Sequence, residues 1–387
     1  MIKRAAEKKV RDLAKKFKAV AVTGPRQSGK TTLVRTIFQE KPYLSLENPD
    51  VRNFALEDPR GFLEGYKDGA ILDEVQRAPE LLSYLQEKLD NSRTKGQFIL
   101  TGSNNFLLHE SVTQSLAGRV GILNLLPFSL SELNSAGISP RSDDQQMIMG
   151  FYPPVHDQGI PPEEDWCPNY VRTYIERDVR QIRNITDLIV FERFMKLLAG
   201  RSGQELNNSA LAVETGVDVK TIISWIGILE ASFIIHLLKP HHRNFKKVTV
   251  KRPKVYFCDT AIACHLLGIR EPGQLAVHPL RGALFEGMVV TELLKNRLHA
   301  GLPSNLFFWR DKTGHEIDLI LDDGQHLLPV EIKSGQTISS AFFSNLDYWK
   351  NLSGIAESVL LYAGTEGQTR SSGMRILNWR EFVTIGQ

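Results

Sequence analysis

Residues 24–31 read GPRQSGKT, a G-x-x-x-x-G-K-[ST] run set between the apolar stretch AVAVT and the helix-like stretch TTLVRTIF. No other string in the chain restricts the fold as much, because a backbone cradle of this kind needs a strand, a tight loop and a helix in that order. Gly24 and Gly29 tolerate backbone angles that other residues resist, so consecutive N–H groups can turn inward around an anion. The start of the next helix adds a positive field, Lys30 brings a cation, and the Thr31 hydroxyl offers a hard oxygen ligand. The expectation is a nucleotide site formed by Gly24, Pro25, Arg26, Gln27, Ser28, Gly29, Lys30, Thr31 and Thr32, taking ATP with Mg²⁺.

Short apolar runs recur downstream as AILDE and FILTGS, each followed by polar or acidic residues and then helix-like sequence. That alternation predicts a parallel sheet with crossover helices, an α/β fold. In GAILDEVQ, Asp73 and Glu74 stand at the carboxyl end of a buried strand, where open α/β sheets bind ligands. Asp73 would hold the magnesium and Glu74 would orient and deprotonate the attacking water. The run QFILTGSNN ends in Thr101, Ser103 and Asn104, polar groups that fall between the two motifs if their strands are neighbours, and Ser103 or Asn104 could hold that water. Arg119 precedes the strand VGILNLLPF and could reach a γ-phosphate, its own or a neighbouring subunit's.

These residues together resemble the AAA family of ATPases, and within it a prokaryotic branch whose loop often reads GPRQ-x-GKTTL and whose sheet ends in PFS-x-x-E. The matches are GPRQSGKTTL at 24–33, LDE at 72–74, TGS at 101–103, AGR at 117–119 and PFSLSEL at 127–133. The resemblance implies a P-loop NTPase core of the AAA type, with a water-positioning polar residue on the third strand, Ser103 or Asn104, and an arginine finger assigned to Arg119. The lid arginine of the wider family has no clear match, which leaves Arg172, Arg180 and Arg183 as candidates.

A chain of 387 residues exceeds one ordinary core of about 100–200 residues. The reading is four segments: an ATPase domain over 1–135, a Pro- and Asp-rich connection with a helical lid over 136–200, a winged-helix block over 201–275 and a last domain over 276–387. No stretch approaches the ~18 unbroken apolar residues of a spanning helix. The basic N-terminus, MIKRAAEKKVRDLAKKFK, has no apolar centre, so a cytoplasmic location without membrane attachment is expected. Residues 1–18 pattern as a basic amphipathic helix. Cys167, Cys258 and Cys264 are scattered and odd in number, which predicts reduced, buried thiols rather than a disulfide framework or a four-thiolate zinc site.

NSALAVETGVDVKTIISWIGILEASFII has helix-turn-helix grammar, with Asp218 as a cap and Lys220, Thr221 and Ser224 on the second helix. Two strand-like runs follow, and residues 239–254 hold seven Lys or Arg, two His and no acid. That pattern predicts a basic wing suited to DNA phosphates; the alternative is a packing module with a solvated hairpin. The net charge of +3 is too mild to announce a nucleic-acid partner by itself.

In the last segment, LFEGMVVTELLKNRL places Glu286 on a helix, and FFWRDKTGHEIDLIL and LLPVEIKSG read as two alternating strands. Glu331 and Lys333 are two apart on one strand and so share a face. Asp318 lies on the preceding strand, within reach by hairpin pairing. This D-x12-E-x-K arrangement with an upstream helical Glu resembles the PD-(D/E)xK nuclease family, a restriction-endonuclease-like fold, over roughly 280–365. The resemblance implies magnesium on Glu286, Asp318 and Glu331, with Lys333 activating water or steadying the phosphate. The leading expectation is an Mg²⁺-dependent ATPase, able to self-associate, that acts on DNA through a nuclease-like last domain. Its rival is an ATP-driven switch whose last domain docks a protein partner; a small-molecule kinase is disfavoured because Asp73 and Glu74 pair as in hydrolases.

Overall fold

A computed structural model describes residues 2–102, 116–138, 140, 142–174, 187–242 and 250–385. They fall into two compact units, one made of 1–128 with 231–233 and 297–303, the other of the remaining segments. Among the described residues no helix is long and apolar enough to cross a membrane.

The first unit opens with helix α1 (Glu7–Lys16), then strand β1 (Ala19–Thr23) and helix α2 (Lys30–Ile37). Strand β2 (Tyr43–Ser45) leads to α3 (Pro49–Glu57) and α4 (Pro59–Glu64). Proline at the first position of each, behind the side-chain caps Asn48 and Asp58, explains why two helices start so close together. Strand β3 (Ile71–Asp73), helix α5 (Leu81–Asn91) and strands β4 (Phe98–Gly102) and β5 (Val120–Asn124) complete it. The sheet runs β2-β3-β4-β1-β5 with every pairing parallel.

Both faces of this sheet are covered, as parallel pairing demands. Ala19 and Ala21 pack with Leu72, Leu100, Leu81 and Leu85, while Val20 and Val22 pack with Leu33, Val34, Ile99, Val10 and Leu13. The alternation along β1 therefore feeds two cores, and the basic helix α1 contributes Val10 and Leu13 to one of them.

The second unit is built on one eight-stranded sheet, ordered β12-β13-β11-β10-β9-β8-β6-β7. Its strands are β6 (Ile235–Pro240), β7 (Lys254–Phe257), β8 (Leu306–Arg310), β9 (Glu316–Asp322), β10 (Leu327–Lys333), β11 (Ser358–Tyr362), β12 (Gln368–Thr369) and β13 (Met374–Asn378). β9 and β10 form an antiparallel hairpin, and β10 pairs parallel with β11 across the helix Ser344–Ser353. Helices Asn208–Thr215 and Val219–Ala231 are present where helix-turn-helix grammar placed them, with Asp218 bonding the Thr221 N–H at 2.9 Å. The two strands after them are not a separate layer: β6 pairs with β7 and also, in parallel, with β8 at Lys239↔Phe307 and Pro240↔Phe308. The segments read as 201–275 and 276–387 thus share a sheet. All three cysteines are free and buried, and burial pushes the Cys264 thiol up to about 12.

Candidate functional site

The carboxyl ends of the parallel strands bring Thr23, Asp73, Gly102 and Asn124 to one edge of the first unit. The phosphate loop leaves β1 at this edge. Gly24 has φ +151°, and a Cβ there would stand 2.1 Å from the Leu125 carbonyl oxygen, so only glycine fits. Gly29, at φ 89°, caps α2 in the left-handed region and lets the chain turn into the helix. Lys30 is buried, its ammonium donating to the Gly24 carbonyl at 3.1 Å and the Pro25 carbonyl at 2.7 Å. The fully buried Ser28 Oγ has no hydrogen-bond partner among the described residues.

Asp73 is the centre of a converging set. Its Oδ1 accepts from the Thr31 hydroxyl at 3.0 Å and from the Thr101 hydroxyl, and its Oδ2 accepts from the Tyr43 hydroxyl at 2.6 Å. Burial and this bond to Asp73 push the Tyr43 phenol up to about 12, and the Arg35 guanidinium lies 4.7 Å from its ring centre. A hydroxyl and a carboxylate side by side are hard oxygen donors of the kind magnesium takes, so Thr31 and Asp73 fit that ion. Glu74 follows at φ 56°, ψ 46°, a left-handed conformation that costs a non-glycine residue about 1–3 kcal/mol, and its Oε2 accepts from Gln76 at 2.5 Å.

β4 lies between the loop strand and the Asp73 strand, which puts Thr101 beside Asp73; Ser103 and Asn104 lie outside the described residues, as do Arg180 and Arg183. Arg119 is elsewhere. It precedes the amino end of β5, where its carbonyl accepts from Ala19 N–H at 3.2 Å, and its guanidinium pairs with Asp90 at 2.9 Å. A five-residue strand spans about 16 Å, so Arg119 is at the wrong edge of the sheet to reach a nucleotide in its own loop.

Sequence reasoning passed over Arg4. The residue is 7% exposed, and its guanidinium donates to the carbonyls of Ser28 at 2.6 Å, Leu126 at 2.7 Å and Pro127 at 3.3 Å, lying 4.9 Å from the Phe128 ring centre. One side chain thus ties the phosphate loop to the segment that leaves β5. A charge count over residues 1–18 could not separate it from seven other cations.

An AAA domain family matches residues 16–134, and two families described only as domains of unknown function, DUF8612 and DUF4143, match 141–273 and 281–382. Uncharacterised proteins from Mycobacterium bovis and Mycobacterium tuberculosis are each 30% identical over 344 residues, covering 87% of this chain and 75% of theirs. The chain belongs to the family of these mycobacterial proteins. Its first domain is an AAA-family ATPase domain. A Walker-type ATPase of Pyrococcus abyssi aligns with TM-score 0.45 at 15% identity, covering 69% of this chain and 96% of that one.

In this family member the second unit assembles its own charged cluster. Continuing the β9–β10 register sets Glu331 opposite Asp318, and Ile332 N–H donates to Asp318 Oδ2 at 2.9 Å. Lys333 reaches Glu331 Oε1 at 2.7 Å and Asp318 Oδ2 at 3.3 Å, and Asn345 reaches Glu331 at 3.3 Å. Glu286 comes from the helix Arg281–His299, but Lys254 of β7 holds its Oε1 at 2.9 Å and the Tyr256 hydroxyl donates to the same oxygen. Lys254 also pairs with Glu316. Burial pushes Glu286 up to about 7 against the pull of Lys254. Burial and the neighbouring Asp318 push Glu331 up to about 8.

Magnesium was expected on Glu286, Asp318 and Glu331. Among the described residues no group of three or more His, Cys, Asp or Glu side chains is arranged to hold a metal ion, and an ammonium already bridges each carboxylate pair. The buried Glu331 Oε2 has no donor among the described residues; burial and the neighbouring Asp318 favour the protonated form of this carboxyl, and a neutral oxygen tolerates that position better than a charged one. These residues do not fit magnesium as they stand. Lys254, Tyr256 and Glu316 were not singled out from the sequence, although each is one of an i, i+2 pair on a strand face: Lys254 with Tyr256, Glu316 with Asp318.

Proposed function

We propose that the first unit hydrolyses ATP with magnesium, and that hydrolysis switches the state of a second unit that does not itself cut nucleic acid. The observation that carries the hydrolytic reading is the convergence of Thr31, Thr101 and Tyr43 on the Asp73 carboxylate beside a buried Lys30. In this reading the loop amides and Lys30 bind the phosphates, and Thr31 and Asp73 hold magnesium, which supplies charge neutralisation of the phosphates when bound. Glu74, fixed in a strained backbone at the strand end, accepts a proton from water. Ser103 or Asn104 orients that water, and Arg119 acts on the nucleotide of a neighbouring subunit.

The non-cutting reading of the second unit is favoured by Lys254, which takes up the helical Glu286 that a metal site would need. The nuclease reading has support of its own in the meeting of Asp318, Glu331 and Lys333 on the β9–β10 hairpin. DNA contact through residues 239–254 would exclude the buried Lys254 and His241; Lys239, His242, Lys251 and Arg252 are exposed, and Arg243, Lys246 and Lys247 lie outside the described residues.

The test is ATP turnover by the full chain with and without DNA, beside Lys30→Ala and Glu74→Gln. The reading expects Lys30→Ala to lose nucleotide binding and Glu74→Gln to bind ATP while turning over at least about 100-fold more slowly, the lower end of the range for a lost general base. Full activity in Glu74→Gln would remove Glu74 from the mechanism. Magnesium-dependent DNA cleavage that disappears in Lys333→Ala would replace the switch by the nuclease.

A further inference from the structure

We infer that Lys254 is the resident cation of the second unit's carboxylate cluster and holds that cluster closed to divalent metal. The inference rests on the reading that this unit does not cut, and it names the side chain responsible.

The cluster already shows that it binds a cation. The Lys254 side chain is 3% exposed, and its ammonium lies between Glu286 Oε1, at 2.9 Å, and Glu316 Oε1. Tyr256, two residues along β7 and therefore on the same face, donates to the same Glu286 oxygen and fixes its direction. Lys333 serves the other half, Asp318 and Glu331. Every carboxylate of the set thus faces an ammonium nitrogen at hydrogen-bond range. A magnesium ion draws its oxygens to about 2.0–2.1 Å around one point and keeps several waters. It cannot share Glu286 with a lysine that is walled in beside it.

The charge balance explains why the lysine is held and also what its loss would do. Four carboxylates (Glu286, Glu316, Asp318, Glu331) meet two ammonium groups (Lys254, Lys333), with the half-exposed Arg310 reaching Glu316 from outside at 3.3 Å. Carboxyl groups outnumber ammonium groups in the cluster even with Lys254 in place. A neutral side chain at 254 would leave the inward oxygens of Glu286 and Glu316 without a cation, in a pocket where an unpaired charge is strongly disfavoured. A divalent ion could then restore the balance, with Asp318 next along the face of β9 from Glu316.

The experiment measures Mn²⁺ binding calorimetrically by the nucleotide-free full chain, in a Lys30→Ala background that silences the phosphate loop. With Lys254 intact no binding is expected in the micromolar range. Lys254→Gln should gain one Mn²⁺ per chain, at least tenfold tighter than any residual binding, with a rise in Tm on adding Mn²⁺. Lys254→Arg, which keeps the charge, should gain nothing, and adding Glu286→Gln to Lys254→Gln should abolish the gain. If Lys254→Gln alone is unfolded, Mn²⁺ should refold it while Ca²⁺-free buffer and NaCl of equal ionic strength do not. Equal Mn²⁺ affinity with Lys254 and with Gln at that position would overturn the inference, as would a folded Lys254→Gln chain that binds no Mn²⁺. DNA cleavage by the unaltered chain is scored separately: cutting would sink the non-cutting reading, whereas the Mn²⁺ difference between the variants reports only on Lys254.

Discussion

Replacing Arg4 by methionine asks whether the phosphate loop is held from outside its own motif. The guanidinium makes two short bonds, to Ser28 O at 2.6 Å and Leu126 O at 2.7 Å, and a longer one to Pro127 O at 3.3 Å. A hydrogen bond with one charged partner is worth about 1.5–3 kcal/mol. Methionine keeps most of the aliphatic volume, so the packing loss is small. Two lost bonds and carbonyls left in a buried setting give an expected cost of about 3–5 kcal/mol, in the range seen when one partner of a buried charged contact is removed. Urea unfolding of the first unit, followed by release of a fluorescent ATP analogue, reads this cost. The same titration gives the affinity, which should fall about tenfold or more, since 1.4 kcal/mol of loop displacement suffices. Lysine at this position should recover less than half, because an ammonium cannot fork between carbonyls of two segments. A methionine variant that loses under about 1 kcal/mol and binds the analogue normally would refute the clamp.

Thr101→Val removes the buried hydroxyl that donates to Asp73 while keeping shape; stability should drop by about 1.5–3 kcal/mol and ATP turnover should fall with nucleotide affinity little changed, by urea titration and steady-state kinetics. Gly24→Ala forces a Cβ to 2.1 Å from Leu125 O at a φ of +151°, so calorimetry should show ATP binding weakened beyond tenfold. Glu331 is raised from 4.5 to about 8 and Glu286 from 4.5 to about 7, so the folded chain holds protons that the unfolded chain has released. Their contribution to stability is therefore complete below about pH 4.5 and is lost as pH rises through 7 to 8, with a slope of up to about 1.4 kcal/mol per pH unit for each group. Urea unfolding of the second unit between pH 5 and 8 should show that decline and Glu331→Gln should flatten it; an unchanged slope in the variant would remove Glu331 as its source.

In the first unit the main lines were readable because each is local. The loop, the strand before it and the helix after it occupy consecutive residues, and Asp73 announces itself by ending an apolar run. The order β2-β3-β4-β1-β5 was open until structure placed β4 between the two motifs, yet the polar ending TGS already hinted at Thr101. Arg4 and Tyr43 carry no such mark. Arg4 meets carbonyls 24, 122 and 123 residues away in sequence, and Tyr43 meets Asp73 across 30 residues. Nothing in the spacing of either residue reveals its partner. Arg119 is the opposite case: its neighbours in sequence suggested a finger, but a strand's direction decides which edge a residue occupies, and because Arg119 comes before β5 rather than after it, only the neighbouring-subunit form of that expectation is left open.

The second unit shows how a charge run misleads when its members differ in burial. Residues 239–254 read as one basic surface, but among the described residues Lys239, Lys251 and Arg252 are exposed while Lys254, at the start of β7, is enclosed. Burial of a lysine is disfavoured unless carboxylates repay the lost hydration. Here burial alone would lower its pKa, and Glu286, Tyr256, Asp318 and Glu316 together hold it well above the ordinary lysine value. Such a lysine is a fixed internal cation and cannot bind a phosphate at the surface. The same side chain therefore subtracts one contact from the expected DNA face and one ligand, Glu286, from the expected metal set. Both weakened expectations trace to the pairing of β6 with β8, a long-range contact that carries β7 into the C-terminal sheet and that no local pattern of hydrophobicity or charge encodes.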